Sequence, residues 1–446
     1  AAPRAAAAPA ARRKLFGTDG VRGIAGEFVT AELALKLARA ATARVAATHE
    51  DDAPVRVLVI RDTRESGEML EAAVAAGIAA AGGEALLGGV LPTPGAPLLV
   101  RRHGLDLAVV LSASHNPYHD NGIKFFAGDG FKLSDATELE IEAMIDEPAA
   151  SVEPGRVRRF HGALDGYLGA LQERFADLDL NGRRLLLDCA NGACFEAAPA
   201  IFRRLGADIS MVAAQPDGRN INAGCGSTHV EALSGYVREG GFDAGFAFDG
   251  DGDRVLAVDR NGVVVDGDEL IALAALHLDV EGVAVTVMTN FGFHTAMREH
   301  GVDVATTDVG DRYVLEALRE RGWRLGGEQS GHIIEMGFVP SGDGIAAALL
   351  CMEALEGSDL AERHAMEKLP QRLVNVRVRD RSALAGATDV HAAVEREQSE
   401  LEGRGRVLLR PSGTEPLVRV MVEAPSDEEA DAVCDRLVGV VQRSLA

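Results

Sequence analysis

Aromatic side chains are scarce in this 446-residue chain: one Trp, four Tyr and 15 Phe make up 4% of it. Its cores must therefore be packed largely from aliphatic groups, and a hydrophobic content of 47% with 25% charged residues is that of a globular protein with ample core. Long apolar runs are missing too, none approaching the ~18 uninterrupted residues of a membrane span. The Ala-rich stretch 70–90 comes nearest, yet it carries Glu71, Glu84 and several glycines, and reads as a packed helix followed by a strand. No membrane partner is expected.

Positive charge is also in deficit, with 45 Lys and Arg against 68 Asp and Glu, a net charge of −23. This argues against nucleic acid as a partner, because a phosphate backbone needs a basic face. A phosphorylated small molecule stays open wherever cations are gathered locally against the global field. Five cysteines (Cys189, Cys194, Cys225, Cys351, Cys434) are odd in number and form no CxxC pair. Without an apolar secretory segment they read as reduced thiols in a cytoplasm. Residues 1–13 are Ala, Pro and Arg without an apolar face and read as a disordered leader, with a transit peptide as the alternative.

What is present is a repeated grammar. A length of 446 residues sets a prior of about three or four domains. Three segments share a short apolar strand, a polar or glycine-rich loop, an amphipathic helix and a second strand. Their strands open at Val55–Ile60, Leu185–Leu187 and Val285–Met288, with helices near 69–82, 195–205 and 293–300. Buried Val, Leu and Ile runs alternating with helices indicate βαβ units around mixed, mostly parallel sheets, hence an α/β fold. After Pro370 the pattern changes: strands at 373–378, 406–410 and 417–423 and helices at 388–401 and 426–444 predict an antiparallel α+β module beyond a hinge near 366–372. The expected domains are 14–165, 166–259, 260–369 and 370–446.

Asp249-Gly250-Asp251-Gly252-Asp253-Arg254 lies between the apolar stretches 246–248 and 255–258. Three carboxylates at alternate positions repel one another unless a cation sits among them, and carboxylate oxygen selects a hard ion such as magnesium or calcium. An EF-hand loop needs Gly at its sixth position and Glu at its twelfth, where this chain has Arg254 and Arg260. A second loop, Ser112-Ala113-Ser114-His115-Asn116-Pro117, follows the strand-like run 105–111. Ends of parallel strands are where α/β sheets keep their chemistry. There is no GxSxG elbow to mark a hydrolase, and a plain loop serine explains this segment at least as well as a nucleophile.

Two further loops are polar and glycine-rich. Gly326-Gly327-Glu328-Gln329-Ser330-Gly331-His332 suits the hydroxyls of a carbohydrate, though an ordinary polar turn has the same composition. Arg410-Pro411-Ser412-Gly413-Thr414-Glu415-Pro416 offers an Arg fork, two hydroxyls and the N–H groups around Gly413, a phosphate cradle that Arg419 can reach. Neither a Walker A motif nor GxGxxG is present, so nucleotide folds gain no support.

In this order, from Lys14 to the C-terminus, the four loops resemble the α-D-phosphohexomutase superfamily. The likeness is strongest to its bacterial phosphoglucosamine mutase branch. It is carried by Leu15-Phe16-Gly17-Thr18-Asp19-Gly20-Val21-Arg22-Gly23, by Asn220-Ile221-Asn222 with Cys225-Gly226-Ser227-Thr228-His229, by Gln329 and by Val309-Gly310-Asp311-Arg312-Tyr313-Val314. Thr307-Asp308 depart from the basic or small pair expected before the last of these. The resemblance implies three α/β domains and a C-terminal α+β domain in a heart-shaped arrangement, each giving one loop to a central cleft.

By the same resemblance, Ser114 is phosphorylated in the active form, and Mg2+ is held by Asp249, Asp251, Asp253 and the phosphoserine. Glu328 and Ser330 hold sugar hydroxyls, and Arg410, Ser412, Gly413, Thr414 and Arg419 hold the distal phosphate. Arg22 and Arg254 stabilise the transferred group, His115 shapes the serine loop, and Lys124 and His332 are the acid–base candidates. The implied reaction interconverts glucosamine 6-phosphate and glucosamine 1-phosphate through a 1,6-bisphosphate, on the way to UDP-N-acetylglucosamine for cell-wall synthesis. Glucosamine or glucose 1,6-bisphosphate would be the phosphorylating activator, and the enzyme a monomer or homodimer. Mannose or glucose phosphates remain alternative substrates. A metal-dependent sugar phosphatase and a silent sugar-phosphate binder are alternatives of other classes.

Overall fold

Aliphatic strands and amphipathic helices alternate along most of the chain, and the computed structural model describes residues 13–17, 19–49, 53–147, 152–412 and 415–445. The expected leader therefore lies outside the described residues except for Arg13, as do Gly413 and Thr414 of the phosphate-like loop.

The first sheet has six strands, in the order Val21–Ile24, Asp120–Ala127, Leu107–Leu111, Arg56–Arg61, Glu84–Val90 and Arg156–Arg159. The last four run parallel, and the first two are antiparallel additions at one side. The second sheet repeats this plan. Arg184–Asp188 lies parallel between Asp208–Val212 and Ala244–Phe248, and Val255–Asp259 and Val264–Val265 extend it antiparallel. The third sheet is ordered Asp303–Thr307, Gly282–Thr286, Leu325–Gly327, Ile333–Glu335, with its last strand antiparallel. Each sheet is thus parallel where crossover helices cover it and antiparallel where a hairpin closes the edge. The antiparallel hairpins are what carry several of the chemically distinctive loops.

Beyond Pro370 the sheet is three-stranded and antiparallel, with Leu417–Glu423 between Gln371–Arg377 and Arg406–Pro411. Helices Thr388–Glu400 and Asp427–Leu445 cover it, and its core is Val376, Val390, Val418, Val420, Val422, Leu437 and Val441. Several boundaries differ from those read from the sequence, two of them at strands of the first and third sheets. The run from Leu105 enters the sheet only at Leu107, because Leu105 N–H closes onto Val100 O after a left-handed Gly104 (φ 57°) that ends the helix Gly95–His103. The strand expected at 285–288 is Gly282–Thr286.

The chain forms two compact units. One contains the chain up to Val287 and residues Ala305–Arg363; the other joins Met288–Val304 to His364–Ala446. In the second unit the helix Phe291–Glu299 is held at its N-terminus by Glu423, which is fully buried. The Glu423 carboxylate accepts from Phe291 N–H (2.9 Å), Asn290 Nδ2 (3.3 Å), Gln371 Nε2 (2.7 Å) and Arg406 Nε (2.6 Å).

Candidate active site

In the larger unit, strands Arg56–Arg61 and Leu107–Leu111 are adjacent and parallel, so their C-terminal ends deliver Asp62-Thr63-Arg64 and Ser112-Ala113-Ser114 side by side. The Leu107–Leu111 strand is buried throughout, which its unbroken apolar sequence requires. Ser114 is itself buried and sits at φ 53°, in the left-handed region rarely adopted by residues other than glycine. Its hydroxyl donates to Asp249 Oδ2 at 2.6 Å.

Asp249, Asp251 and Asp253 occupy the hairpin between Ala244–Phe248 and Val255–Asp259. Gly252 takes φ +75°, and a Cβ on Gly250 would lie 2.5 Å from Ser114 O. Both glycines are therefore needed, one for the turn and one for the close approach of the serine loop. The three aspartates are buried, and one oxygen from each lies within 4.8 Å of the others. Asp251 Oδ1 and Asp253 Oδ1 are buried without a hydrogen-bond partner among the described residues. Carboxylate oxygens without hydrogen bonds converging in a low-dielectric site are costly unless a cation completes them, so this all-oxygen donor set fits a hard divalent ion. Burial, followed by the charges of Asp253 and Asp251, pushes the Asp249 carboxyl well above the usual carboxylate range.

Cations surround the triplet. Lys124, buried on the strand Asp120–Ala127, donates to Asp251 Oδ2 at 2.9 Å and contacts Asp19 Oδ2 at the same distance. Burial opposes its charge, but Asp19, Asp251 and Asp253 outweigh it and hold the ammonium protonated. Arg22 donates to Asp19 at 2.6 Å. Arg254 N–H donates to Asp249 Oδ1 (3.1 Å), and its guanidinium reaches His115 Nδ1 (3.2 Å). Burial, then Arg254 and Arg22, lower the His115 pKa, so its ring is a neutral acceptor beside Ser114.

The hairpin Leu325–Gly327/Ile333–Glu335 brings the sugar-like loop to the same place. Gly331 O accepts from Val255 N–H at 3.1 Å, tying this loop to the strand that follows the triplet. His332 is buried, with Nδ1 3.5 Å from Asp253 Oδ2 and Nε2 accepting from Gly342 N–H at 3.1 Å. Glu328 Oε1 accepts from Gly310 N–H at 3.0 Å, while Ser330 is exposed. The larger unit thus gathers Ser114, His115, Arg22, Lys124, Asp249, Asp251, Asp253, Arg254, Glu328 and His332.

Arg410, Ser412 and Arg419 lie in the second unit. Arg410 and Arg419 are directly opposite on neighbouring antiparallel strands. Two like charges in that register repel unless an anion lies between or near them. Ser412 N–H closes the turn on Leu417 O (2.9 Å), and its Oγ accepts from Glu415 N–H (3.2 Å).

Several contributors carried no sequence signal of their own. Lys132 bridges Asp19 (2.6 Å) and Asp311. Asp19 and Asp311 stood inside quoted motifs, where their charge was the available clue. Asp62, Arg64 and Ser112 lie beneath the serine, and Thr93 donates to Asp251 Oδ2 at 2.8 Å.

Comparison with known proteins covers this architecture piece by piece. The chain matches the phosphoglucomutase/phosphomannomutase alpha/beta/alpha domain I over residues 13–151, domain II over 165–262, domain III over 266–373 and the C-terminal domain over 373–440. It is 47% identical to the phosphoglucosamine mutase of Deinococcus deserti, over 96% of this chain and 98% of that one. It is 46% identical to that of Bacillus subtilis, over 97% and 99%. Among solved structures, a phosphoglucomutase/phosphomannomutase family protein from Burkholderia thailandensis superposes with a TM-score of 0.82 at 24% identity, over 96% of this chain and 97% of that one. Aspergillus fumigatus N-acetylphosphoglucosamine mutase, solved with GlcNAc-6P and magnesium, gives 0.69 at 19% identity, over 98% and 96%.

Proposed function

This chain belongs to the phosphoglucomutase/phosphomannomutase family, among the phosphoglucosamine mutases, and on that premise we propose that it interconverts glucosamine 6-phosphate and glucosamine 1-phosphate. The observation that carries the reading is the Ser114 hydroxyl on the Asp249 carboxylate, 2.6 Å away, inside a buried triplet with two oxygens that lack a hydrogen bond. A serine placed this way is poised to carry a phosphoryl group.

In this reading the bond from phosphorus to Ser114 Oγ breaks as a bond to O1 of glucosamine 6-phosphate forms. The 1,6-bisphosphate turns over, its 6-phosphoryl group returns to Ser114, and glucosamine 1-phosphate leaves. Asp249, Asp251 and Asp253 would hold Mg2+ together with an oxygen of phosphorylated Ser114. When bound, that ion supplies neutralisation of the charge on the transferred group. Arg22, Arg254 and Lys124 add fixed positive charge around the same centre. Lys124 and His332, both next to the triplet, are assigned the acid and base roles at the sugar hydroxyls, with Lys124 as the acid because its ammonium is held protonated and His332 as the base, and His115 orients Arg254. Glu328 and Ser330 are assigned to sugar hydroxyls. Arg410, Ser412, Gly413, Thr414 and Arg419 are assigned to the phosphate that is not reacting. A clamp built on an Arg pair binds either phosphate equally, as a reaction passing through two substrate orientations requires. The product would feed UDP-N-acetylglucosamine formation, in a cytoplasm that suits five unpaired thiols. No helix among the described residues is long and apolar enough to cross a membrane.

The test is to incubate the protein with Mg2+, a trace of glucose 1,6-bisphosphate and, separately, the 6-phosphates of glucosamine, mannose and glucose, while mapping phosphate on Ser114 by mass. Preferential formation of glucosamine 1-phosphate and a phosphorylated Ser114 are expected. Preference for another sugar would sink the substrate assignment. Release of inorganic phosphate without phosphoserine would replace the mutase by a phosphatase.

A further inference from the structure

The backbone of Ser114 is gripped at both of its peptide groups. Arg64 is completely buried, and its guanidinium donates to three carbonyls of the serine loop, Ser114 O (2.9 Å), Asn116 O (2.8 Å) and Pro117 O, and to Asp120 O (3.0 Å) where the next strand begins. Its Nε donates to Asp62 Oδ2 at 2.9 Å. The same Asp62 oxygen accepts from Ser112 Oγ (2.6 Å), and Ser112 Oγ in turn accepts from Ser114 N–H (2.9 Å). The ring closes through one residue, whose φ of 53° requires the surroundings to hold it.

A second donor arrives from the other side. Asn222 Nδ2 donates to Ser114 O at 2.9 Å and to Asn116 O at 3.1 Å, across 108 and 106 residues of sequence. Asn222 is buried, itself left-handed (φ 58°), and anchored by its N–H on Ala190 O at 2.9 Å. It also lies against the metal-loop backbone, since a Cβ on Gly250 would come within 2.6 Å of its Nδ2. The carboxamide therefore sits where the serine loop and the aspartate hairpin meet. Both carbonyls it serves already accept from Arg64, so polar satisfaction does not require it. What it adds is a direction: a fixed pull on the Ser114 carbonyl from a segment packed against the hairpin that carries Asp249.

We propose that Asn222 is a positioning residue for phosphoryl transfer, its carboxamide fixing the Ser114 peptide so that Oγ faces the aspartate triplet. The inference rests on Ser114 being the phosphorylated residue. Phosphoryl transfer relies on alignment more than on covalent chemistry by the protein, so a small rotation of the serine lowers turnover while leaving substrate binding intact.

The experiment compares wild type with Asn222→Ala and Asn222→Asp. It measures kcat and KM for glucosamine 6-phosphate, the rate of Ser114 phosphorylation by glucose 1,6-bisphosphate, and the melting temperature. Both variants should lose about 10- to 100-fold in kcat and in phosphorylation rate, with KM changed less than about threefold. The aspartate variant keeps the volume but not the donors, so full activity in it would mean that Asn222 only fills space. Wild-type kcat in the alanine variant, or failure of both variants to fold, would equally overturn the proposal. Absence of phosphate on Ser114 in active wild-type enzyme is a separate outcome, which removes the nucleophile assignment itself.

Discussion

Ser114 Oγ and Asp249 Oδ2 are 2.6 Å apart although 135 residues separate them in the chain. The pairing brings a strand-end loop of the first sheet onto a hairpin of the second. It makes the serine and the triplet one site.

Replacing Ser114 with Ala should therefore remove activity without unfolding the protein. The loop is held through backbone groups, by Arg64 and Asn222 at Ser114 O and by Ser112 at Ser114 N–H. A loss of at least about 10³-fold in kcat is expected, as for other removed nucleophiles. Activity within tenfold of wild type, with an unchanged melting curve, would be incompatible with Ser114 as phosphoryl carrier.

Removal of divalent ions should destabilise the larger unit. The triplet leaves Asp251 Oδ1 and Asp253 Oδ1 without a hydrogen bond, and an ion bound only by the folded state adds about 2.7 kcal/mol at 100 times its Kd. Scanning calorimetry in EDTA and in millimolar Mg2+ should show the difference. The Asp251→Asn variant should show little of it, and an equal metal response in that variant would count against the triplet as the site.

The opposed pair Arg410 and Arg419 predicts a binding defect on truncation. Either Arg→Ala change should raise KM for the hexose phosphate by about 10- to 100-fold, the worth of a charge-assisted contact to phosphate. Phosphorylation of Ser114 already in place should not change. The same changes should leave the fold intact or slightly steadier, because each removes a like-charge contact. Steady-state kinetics beside intact-mass measurement distinguishes this outcome from a general loss of activity.

Asp343 gives the fold a pH dependence of its own. Its carboxylate accepts from Tyr167 OH (2.9 Å to each oxygen) and from Ala346 N–H (2.9 Å), and burial pushes its pKa up to about 7. Between about pH 4 and 7 the folded form keeps a proton that the unfolded chain has released. Stability contributed by this group is thus full below the unfolded pKa and declines as pH rises towards 7, by up to about 1.4 kcal/mol per pH unit. Asn at this position cannot titrate, so Asp343→Asn should cost most near pH 5 and least near pH 8. A gap in denaturation midpoint that is constant over that range would refute the buried titration.

The parts of this site legible in the sequence are those carried by local pattern. Three aspartates alternating with glycines between two apolar stretches announce a hairpin that binds a cation, and the hairpin is there. Arg410 and Arg419 could be placed together because a short turn between two strands fixes their register. The supports under Ser114 were not legible. Asp62 is a common residue after a buried strand, and its link to Ser112 spans 50 residues; Asn222 reaches Ser114 O across 108. Nothing periodic marks such contacts, since they are set by which strand ends become neighbours. Likewise, the sequence break after Pro370 concealed that residues 288–304 pack with the C-terminal module.

That last feature makes the C-terminal module something other than a detachable cassette. The chain passes between the two units at 287/288, 304/305 and 363/364, so the smaller one is assembled from two stretches of the gene. A fragment stopping at Arg363 would strip the helix Phe291–Glu299 of Glu423, the carboxylate at its start, and leave Asn290 without that acceptor. Truncation or domain exchange at the apparent linker would separate this helix from the carboxylate at its start, and a transplant of this module should keep Glu423 and the inserted helix together.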